Sequence, residues 1–236
     1  VCGLCCTAHD ITRYYNRGKI IGPISWQLRF IRSGVADVIV LDEQCIRCDA
    51  FEEAKRVKAP VIATSEKNCM GLPNRTNDSV ESVVEDLVSG KTPGVLILDP
   101  EKVGKIAVEV ALKVAPLRNK LKALPETDEI IDMAVTCRQC NLCRRACPQD
   151  LNIPEAINAA LQGSLSELAE LYDACVGCGR CEQACPVNLP VHSFIVSAGE
   201  NKLKSEIYKC RAGRGPIQDL EIRKVGSPIV LGEIPG

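Results

Sequence analysis

Aromatic side chains are scarce in this sequence: three Phe, four Tyr and one Trp make up 3% of 236 residues. So small a supply leaves no stacking platform for single-stranded nucleic acid and no aromatic belts at a membrane interface. An excess of one charge is missing as well. Lys and Arg total 29 against 30 Asp and Glu, a formal charge of −1, so there is no electrostatic basis for binding nucleic acid or an anionic membrane surface. No apolar run approaches the ~18 residues that a spanning helix needs. A basic segment leading into an apolar stretch, the mark of a secretory leader, is absent too. The chain opens at Val1 without an initiator Met and reads as a piece of something longer.

Cysteine is the opposite case. Fifteen are present, an odd number, and several lie two residues apart. A secreted disulfide scaffold is usually short and uses an even count at looser spacing. An oxidising compartment would also endanger thiols held for metal. The usage therefore points to a cytoplasmic metalloprotein working at low potential, away from oxygen.

The chain falls into two chemically different halves. From Ile11 to about Leu117 the pattern is α/β. Val35–Leu41, Pro60–Thr64 and Gly94–Asp99 are short β-branched or apolar runs suited to buried parallel strands. Helical stretches are expected over Asp49–Val57, over Ser79–Ser89 with Gly90 ending the run, and over Lys102–Val114. Strands alternating with helices imply a doubly wound parallel sheet of Rossmann-like type, with function at the strands' carboxyl ends. Pro116–Pro125 reads as a charged connector. Beyond it, helices are expected over Asp128–Val135, Pro154–Leu161, Ser164–Tyr172 and Leu189–Leu203, with Ser164 as N-cap and Glu167 completing a capping box. After Cys210 the chain is rich in Gly and Pro until Ser227–Leu231, which looks like the opening of another strand.

The helical half holds two matched runs, Cys137-x2-Cys140-x2-Cys143-x3-Cys147-Pro148 and Cys175-x2-Cys178-x2-Cys181-x3-Cys185-Pro186. This is the spacing of two-cluster bacterial ferredoxins, in which the fourth cysteine of each run ligates the other cluster. Three close thiolates reach three iron corners while the chain curls round the cube, and proline turns the backbone away after the fourth. Two [4Fe-4S] clusters are expected, one on Cys137, Cys140, Cys143 and Cys185, the other on Cys175, Cys178, Cys181 and Cys147. Zinc knuckles use four ligands in all, and disulfides between residues three apart on one turn are geometrically poor. The lack of β-branched alternation between the runs makes this a mainly α-helical ferredoxin-like domain. Arg138, Arg144 and Arg145 either raise cluster potential, dock an acidic partner or form a solvated face.

The α/β half adds Cys2, Cys5, Cys6, Cys45, Cys48 and Cys69. Cys6-Thr-Ala8 is a small-residue turn ahead of a helix, and Gly34-Val-Ala-Asp-Val-Ile-Val-Leu-Asp-Glu-Gln-Cys45 is a strand running into a cysteine. Both segments resemble the nickel-dependent carbon monoxide dehydrogenases. Ala8 and His9, in place of the Gly-Asn of many bacterial members, point to the archaeal branch within acetyl-CoA decarbonylase/synthase (ACDS) complexes, where a two-cluster ferredoxin-like insertion follows this domain in the same order.

The resemblance implies that Cys6 and Cys45 ligate the active-site nickel–iron–sulfur cluster (the C-cluster), whose other ligands lie outside this chain. It implies a Rossmann-like domain over 1–118, the ferredoxin-like 2[4Fe-4S] domain over 126–210, and the start of a second Rossmann-like domain over 211–236. It further implies oxidation of CO with water to CO2, linked to methanogenesis, with ferredoxin as electron acceptor, other ACDS subunits as partners and a homodimer of the full-length subunit. The segment alone is expected not to oxidise CO. His9 and His192 match none of the family's catalytic roles and read as surface or neighbouring residues; Cys2, Cys5, Cys48, Cys69 and Cys210 stay unassigned. The rival reading is a non-catalytic electron-transfer subunit resembling the iron–sulfur proteins of heterodisulfide reductase or fumarate reductase. It leaves the α/β half unexplained. A nucleotide-binding α/β protein lacks its G-x-G-x-x-G turn.

Overall fold

A computed structural model of the chain describes residues 1–22, 24–43, 46–118, 123–205, 207–211 and 219–223. It divides into two compact units, Val1–Arg29 with Leu124–Gly236, and Phe30–Ala123. The class is the expected one: parallel strands with helices first, then a helical module.

At the N-terminus β1 (Cys2–Leu4) pairs in parallel with β2 (Lys19–Gly22), and α1 (Cys5–Tyr14) connects them. A Cβ on Gly3 would come within 2.6 Å of the Ala8 Cα, so the close packing of α1 on β1 requires glycine there. Strands this short show no two-residue period, and neither is expected from the sequence. A short helix α2 (Gln27–Arg32) follows.

In the unit Phe30–Ala123, β3 (Ile39–Leu41), α3 (Ala50–Arg56), β4 (Val61–Ala63), α4 (Val80–Val88), β5 (Gly94–Leu96) and α5 (Pro100–Arg118) follow in order, and the strands form a parallel sheet β3-β4-β5. Strand alternation decides which helix each residue meets. Val61, Ala63 and Leu96 pack with Ala50, Ala54 and Val57. Ile62 and Val95 point the other way, to Val83, Leu87, Ile106 and Val110. Both faces are therefore buried, which is why the strands read as continuous apolar runs. The change of face has a topological cause. Asn74 bridges in parallel to Leu96, beyond β5, so the chain passes the place of β5 before α4 returns it, and a reversed right-handed crossover lies on the opposite face.

Local chemistry sets the boundaries. The Ser79 hydroxyl accepts from Ser82 N–H at 3.3 Å as the N-cap of α4, and Gly90, with φ +74°, stops the run. Helix α5 buries Ile106, Val110 and Val114 at four-residue spacing and continues past the expected end, taking in Pro116. Proline forfeits one hydrogen bond in this last turn, but Arg118 anchors the end by donating to the carbonyls of Val57 (2.9 Å), Lys58 (3.1 Å) and Gly34 (2.5 Å). The connector thus starts later than Pro116, and its residues 119–122 lie outside the described residues.

The helical module is a repeat. Helices α6 (Thr127–Ala134), α7 (Leu142–Ala146) and α8 (Ile153–Leu161) are matched by α9 (Ser166–Ala174), α10 (Arg180–Gln183) and α11 (Val191–Ser205). Ile130, Ile153, Ile157, Leu168, Phe194 and Ile195 form its core. A Cβ on Gly199 would stand 2.5 Å from the Tyr172 ring, so glycine lets α11 lie close against α9. The capping box expected at Ser164 is not formed: the N-cap of α9 is Leu165, and the Ser164 hydroxyl instead bonds the Glu167 carboxylate at 2.7 Å. The chain then forms an antiparallel hairpin, β6 (Ile207–Arg211) with β7 (Asp219–Arg223). The strand expected at Ser227–Leu231 lies outside the described residues. Among the described residues no helix is long and apolar enough to cross a membrane.

Replacing Ile62 with Ala, at a fully buried site on the central strand, should cost about 2–5 kcal/mol, read as a lower denaturant midpoint of unfolding. A second outcome concerns acid. Lys91 and Arg75 hold the Asp86 carboxyl below the ordinary carboxylate range. Its stabilisation is complete above the unfolded pKa and is lost as pH falls through the lowered folded pKa. Asp86→Asn should therefore lower stability at neutral pH and flatten the acid limb of a stability–pH curve.

Candidate iron–sulfur site

The two cysteine runs adopt the same backbone path. Gln139 (φ +50°) and Asn141 (φ +62°) flank Cys140, and Gly177 (φ +66°) and Gly179 (φ +71°) flank Cys178 in the same places. Asp150 (φ +48°) and Asn188 (φ +54°) repeat the correspondence three residues after the last cysteine of each run. Alternating right- and left-handed residues turn successive N–H groups inward and form a concavity suited to an anion. Glycine adopts this conformation freely, whereas Gln139 does so at about 1–2 kcal/mol. The third cysteine of each run rides on a short helix, Cys143 on α7 and Cys181 on α10, and Cys147 and Cys175 sit at helix C-caps.

Cys137, Cys140 and Cys143 line one cavity together with Cys185 from the second run. It is open to solvent, and its walls include Pro154, Ile157, Leu189 and Val191. On the other side, the Cys175 thiol feels the charges of Cys178 and Cys147, and Cys181 feels those of Cys175 and Cys178. Cys185 therefore lies with the first three cysteines of the other run, and Cys147 lies near the first cysteine of the second run. Among the described residues no three His, Cys, Asp or Glu side chains converge as they would on a single metal ion; the corners of an iron–sulfur cube are separate points, and its ligands need not converge. An all-thiol donor set in a partly apolar cavity fits such a cluster.

Electrostatics favour the neutral thiol until metal arrives. Burial pushes the Cys143 and Cys175 thiols up, and it pushes Cys181 far up, with the Glu182 carboxylate adding to it. A backbone donor opposes this at Cys175, whose Sγ accepts from Gly177 N–H at 3.4 Å; Leu189 N–H donates to Cys185 Sγ at 3.4 Å. Such bonds stabilise negative charge on sulfur. His192, expected at the surface or beside the site, is 1% exposed, and its backbone N–H donates to Glu182 Oε1 at 2.9 Å.

The three arginines of the first run lie in different settings. Arg144 pairs with Asp150 at 3.1 Å, while Arg138 and Arg145 are exposed. An arginine the sequence reading passed over is far more deeply placed. Arg29 is 3% exposed, lies 4.4 Å from the Trp26 ring centre and 4.1 Å from that of Tyr172, and donates to the carbonyls of Tyr172 (2.8 Å) and Cys175. A cation set between the apolar Leu28 and Phe30 was the available signal.

Of the α/β cysteines, Cys6 is in the first turn of α1, directly after β1, with its Sγ 3.8 Å from that of Cys5. Cys5 has φ +56°. Cys45 lies outside the described residues. Cys2 and Cys48 are exposed and Cys69 is half-buried. His9 is a half-buried residue of α1 whose carbonyl accepts from the Thr12 hydroxyl.

Comparison with known proteins bears on both halves. The pattern described as "Prismane/CO dehydrogenase family" matches residues 1–139, and that described as "4Fe-4S dicluster domain" matches residues 136–189. The chain is 56% identical over 238 residues to the acetyl-CoA decarbonylase/synthase complex subunit alpha of Methanothermobacter thermautotrophicus. It is 51% identical over 236 residues to subunit alpha 1 of that complex in Methanopyrus kandleri, and 48% to subunit alpha in Methanocaldococcus jannaschii. Each match covers 100% of this chain but only 30–31% of the relative.

Crossed ligation makes a specific prediction. In anaerobically prepared protein, Cys185→Ser and Cys140→Ser should alter the electron paramagnetic resonance spectrum of the same cluster, whereas Cys147→Ser should alter that of the other. If Cys185→Ser and Cys178→Ser affect one cluster together, ligation stays within each run.

Proposed function

The chain belongs to the Prismane/CO dehydrogenase family, and on that premise we propose that it is a segment of an acetyl-CoA decarbonylase/synthase α subunit that oxidises CO with water to CO2. Two protons and two electrons are released per CO, the electrons passing by way of iron–sulfur clusters to a ferredoxin. What carries the reading is the joining of two features in one chain: family sequence over residues 1–139 and, in the module that follows, a cavity shared by Cys137, Cys140, Cys143 and Cys185.

When bound, two [4Fe-4S] clusters supply one-electron storage, and a nickel–iron–sulfur centre supplies Lewis-acid positions for CO and a water-derived hydroxide. The chain's own residues hold and insulate these groups. In this reading Cys137, Cys140, Cys143 and Cys185 bind one cluster and Cys175, Cys178, Cys181 and Cys147 the other. The Gly177 and Leu189 N–H groups offset negative charge on two of the sulfurs. Pro154, Ile157 and Leu189 limit water at the first cluster. Cys6 and Cys45 are the share of the nickel centre's ligands in this segment. Cys6 stands at the carboxyl end of a parallel strand, where open α/β sheets carry their functional groups.

Residues 1–118 then form the ligand-bearing domain, 126–210 the relay, and 211–236 the opening of a second α/β domain. The chain spans about 30% of the length of its relatives, so the full subunit would complete the centre, act as a homodimer with the other subunits of the complex, and work in the cytoplasm.

Cys45→Ala or Cys6→Ala in the full-length subunit should abolish CO oxidation by a low-potential dye assay and reduce bound nickel, while the two relay clusters keep their spectra. Retention of nickel and activity in both variants would remove these residues from the centre.

A further inference from the structure

The two halves of the relay module share a backbone path but not an electrostatic setting. Around the first run the cations are at the surface: Arg138 and Arg145 are exposed, and Arg144 is compensated by Asp150. Solvent and salt screen such charges. Around the second run the cation is Arg29, 3% exposed, whose partners are two carbonyls and two ring faces rather than a carboxylate. One of those carbonyls belongs to Cys175 itself, so the guanidinium is tied to the peptide of a cysteine in the second set. Its charge acts through protein, where a unit charge is felt several-fold more strongly than through water.

Glu182 opposes it. That carboxylate is half-buried and adds to the repulsion of negative charge at Cys181. It accepts the His192 N–H in the first turn of α11, a helix of 15 residues, where the unpaired N–H groups counter an anion. Arg180 and Asp173, the other ionic groups nearby in the chain, are exposed. Among the described residues no carboxylate pairs with Arg29, and its buried charge is the one that decides.

We propose that Arg29 makes the relay unequal: its cation raises the reduction potential of the cluster held by Cys175, Cys178, Cys181 and Cys147 above that of its neighbour, so the first electron to enter the module resides there. The inference rests on the two-cluster reading above. The step is a one-electron reduction of that cluster by a low-potential one-electron donor; no bond is made or broken and no proton moves. Arg29 acts as a positioning residue, through the Cys175 peptide and its field, and binds no metal. The two aromatic rings give the cation a fixed place without neutralising it, which a salt bridge would do.

The test is a redox titration of the anaerobically prepared full-length subunit with dithionite, followed by electron paramagnetic resonance. In the parent protein, partial reduction should first populate the spectrum that Cys140→Ser leaves unchanged. Arg29→Gln should lower the midpoint of that cluster alone, changing its reduced-to-oxidised ratio at fixed potential by about tenfold, ~59 mV for a one-electron couple. Arg29→Lys, which keeps the cation, should stay near the parent value. Glu182→Gln should shift the same midpoint upward, a sign that packing damage would not give. Equal shifts of both clusters, an unchanged midpoint in Arg29→Gln, or shifts of the same sign in Arg29→Gln and Glu182→Gln would overturn the proposal. An iron content near eight in the relay module of each variant keeps this outcome separate from the two-cluster reading, which fails only if the parent lacks that iron. Should Arg29→Gln lose iron, Glu182→Gln and Arg29→Lys carry the test: an unmoved midpoint in the first, or a midpoint far from the parent in the second, overturns it.

Discussion

The helical module depends on an exchange. Cys185 lies in the cavity of the first run and Cys147 near Cys175 of the second, so each half brings a cysteine to the other. This requirement reaches well beyond the cysteines. It demands a backbone that curls twice in the left-handed region within each run and again after each Cys-Pro. It also demands close helix packing within the second half, where glycine at 199 stands against the Tyr172 ring. A shift in α9 or α11 would open both cluster sites at once, because Cys175 caps one helix and Leu189, just before the other, donates to Cys185. Packing and metal geometry are here the same constraint.

Much of this was legible in the chain, for identifiable reasons. The cysteine runs could be read because a covalent ligand pattern leaves little freedom in spacing. The strands at Val61–Ala63 and Gly94–Leu96 and the helix at Val80–Val88 were visible because a buried parallel sheet needs unbroken apolar runs and a helix needs a cap and a stop. The strands proved shorter than their apolar runs, since Pro60 has no N–H to offer and pairing extends over three residues in each strand. Pro116 looked like a boundary because proline usually is one. The three carbonyls bound by Arg118 lie far away in sequence and overrule it. Ser164 also departs from its pattern: the helix starts one residue later, with Leu165 as its N-cap, and the Ser164 hydroxyl donates to Glu167.

What could not be read were contacts between distant residues. Arg29 and Cys175 are 146 residues apart, and no local period joins them. Likewise, nothing in the spacing of either run announces that Gln139 must adopt a conformation that glycine holds in its counterpart, because the demand comes from the fold of the repeat. The grouping of the first 29 residues with those from Leu124 onward is another long-range property. A linear reading divides the chain by composition, and contacts divide it differently.

The burial of Cys143, Cys175 and Cys181 has a consequence for how such a protein is made. A nucleophilic sulfur must first lose its proton, and these three are held in the protonated form by their surroundings. A newly synthesised chain that folds before it meets iron would therefore keep its most deeply placed sulfurs unreactive toward stray oxidants and electrophiles. The exposed Cys140 would be the first to meet whatever arrives. Each incoming metal must in turn drive off protons before these sulfurs can hold it.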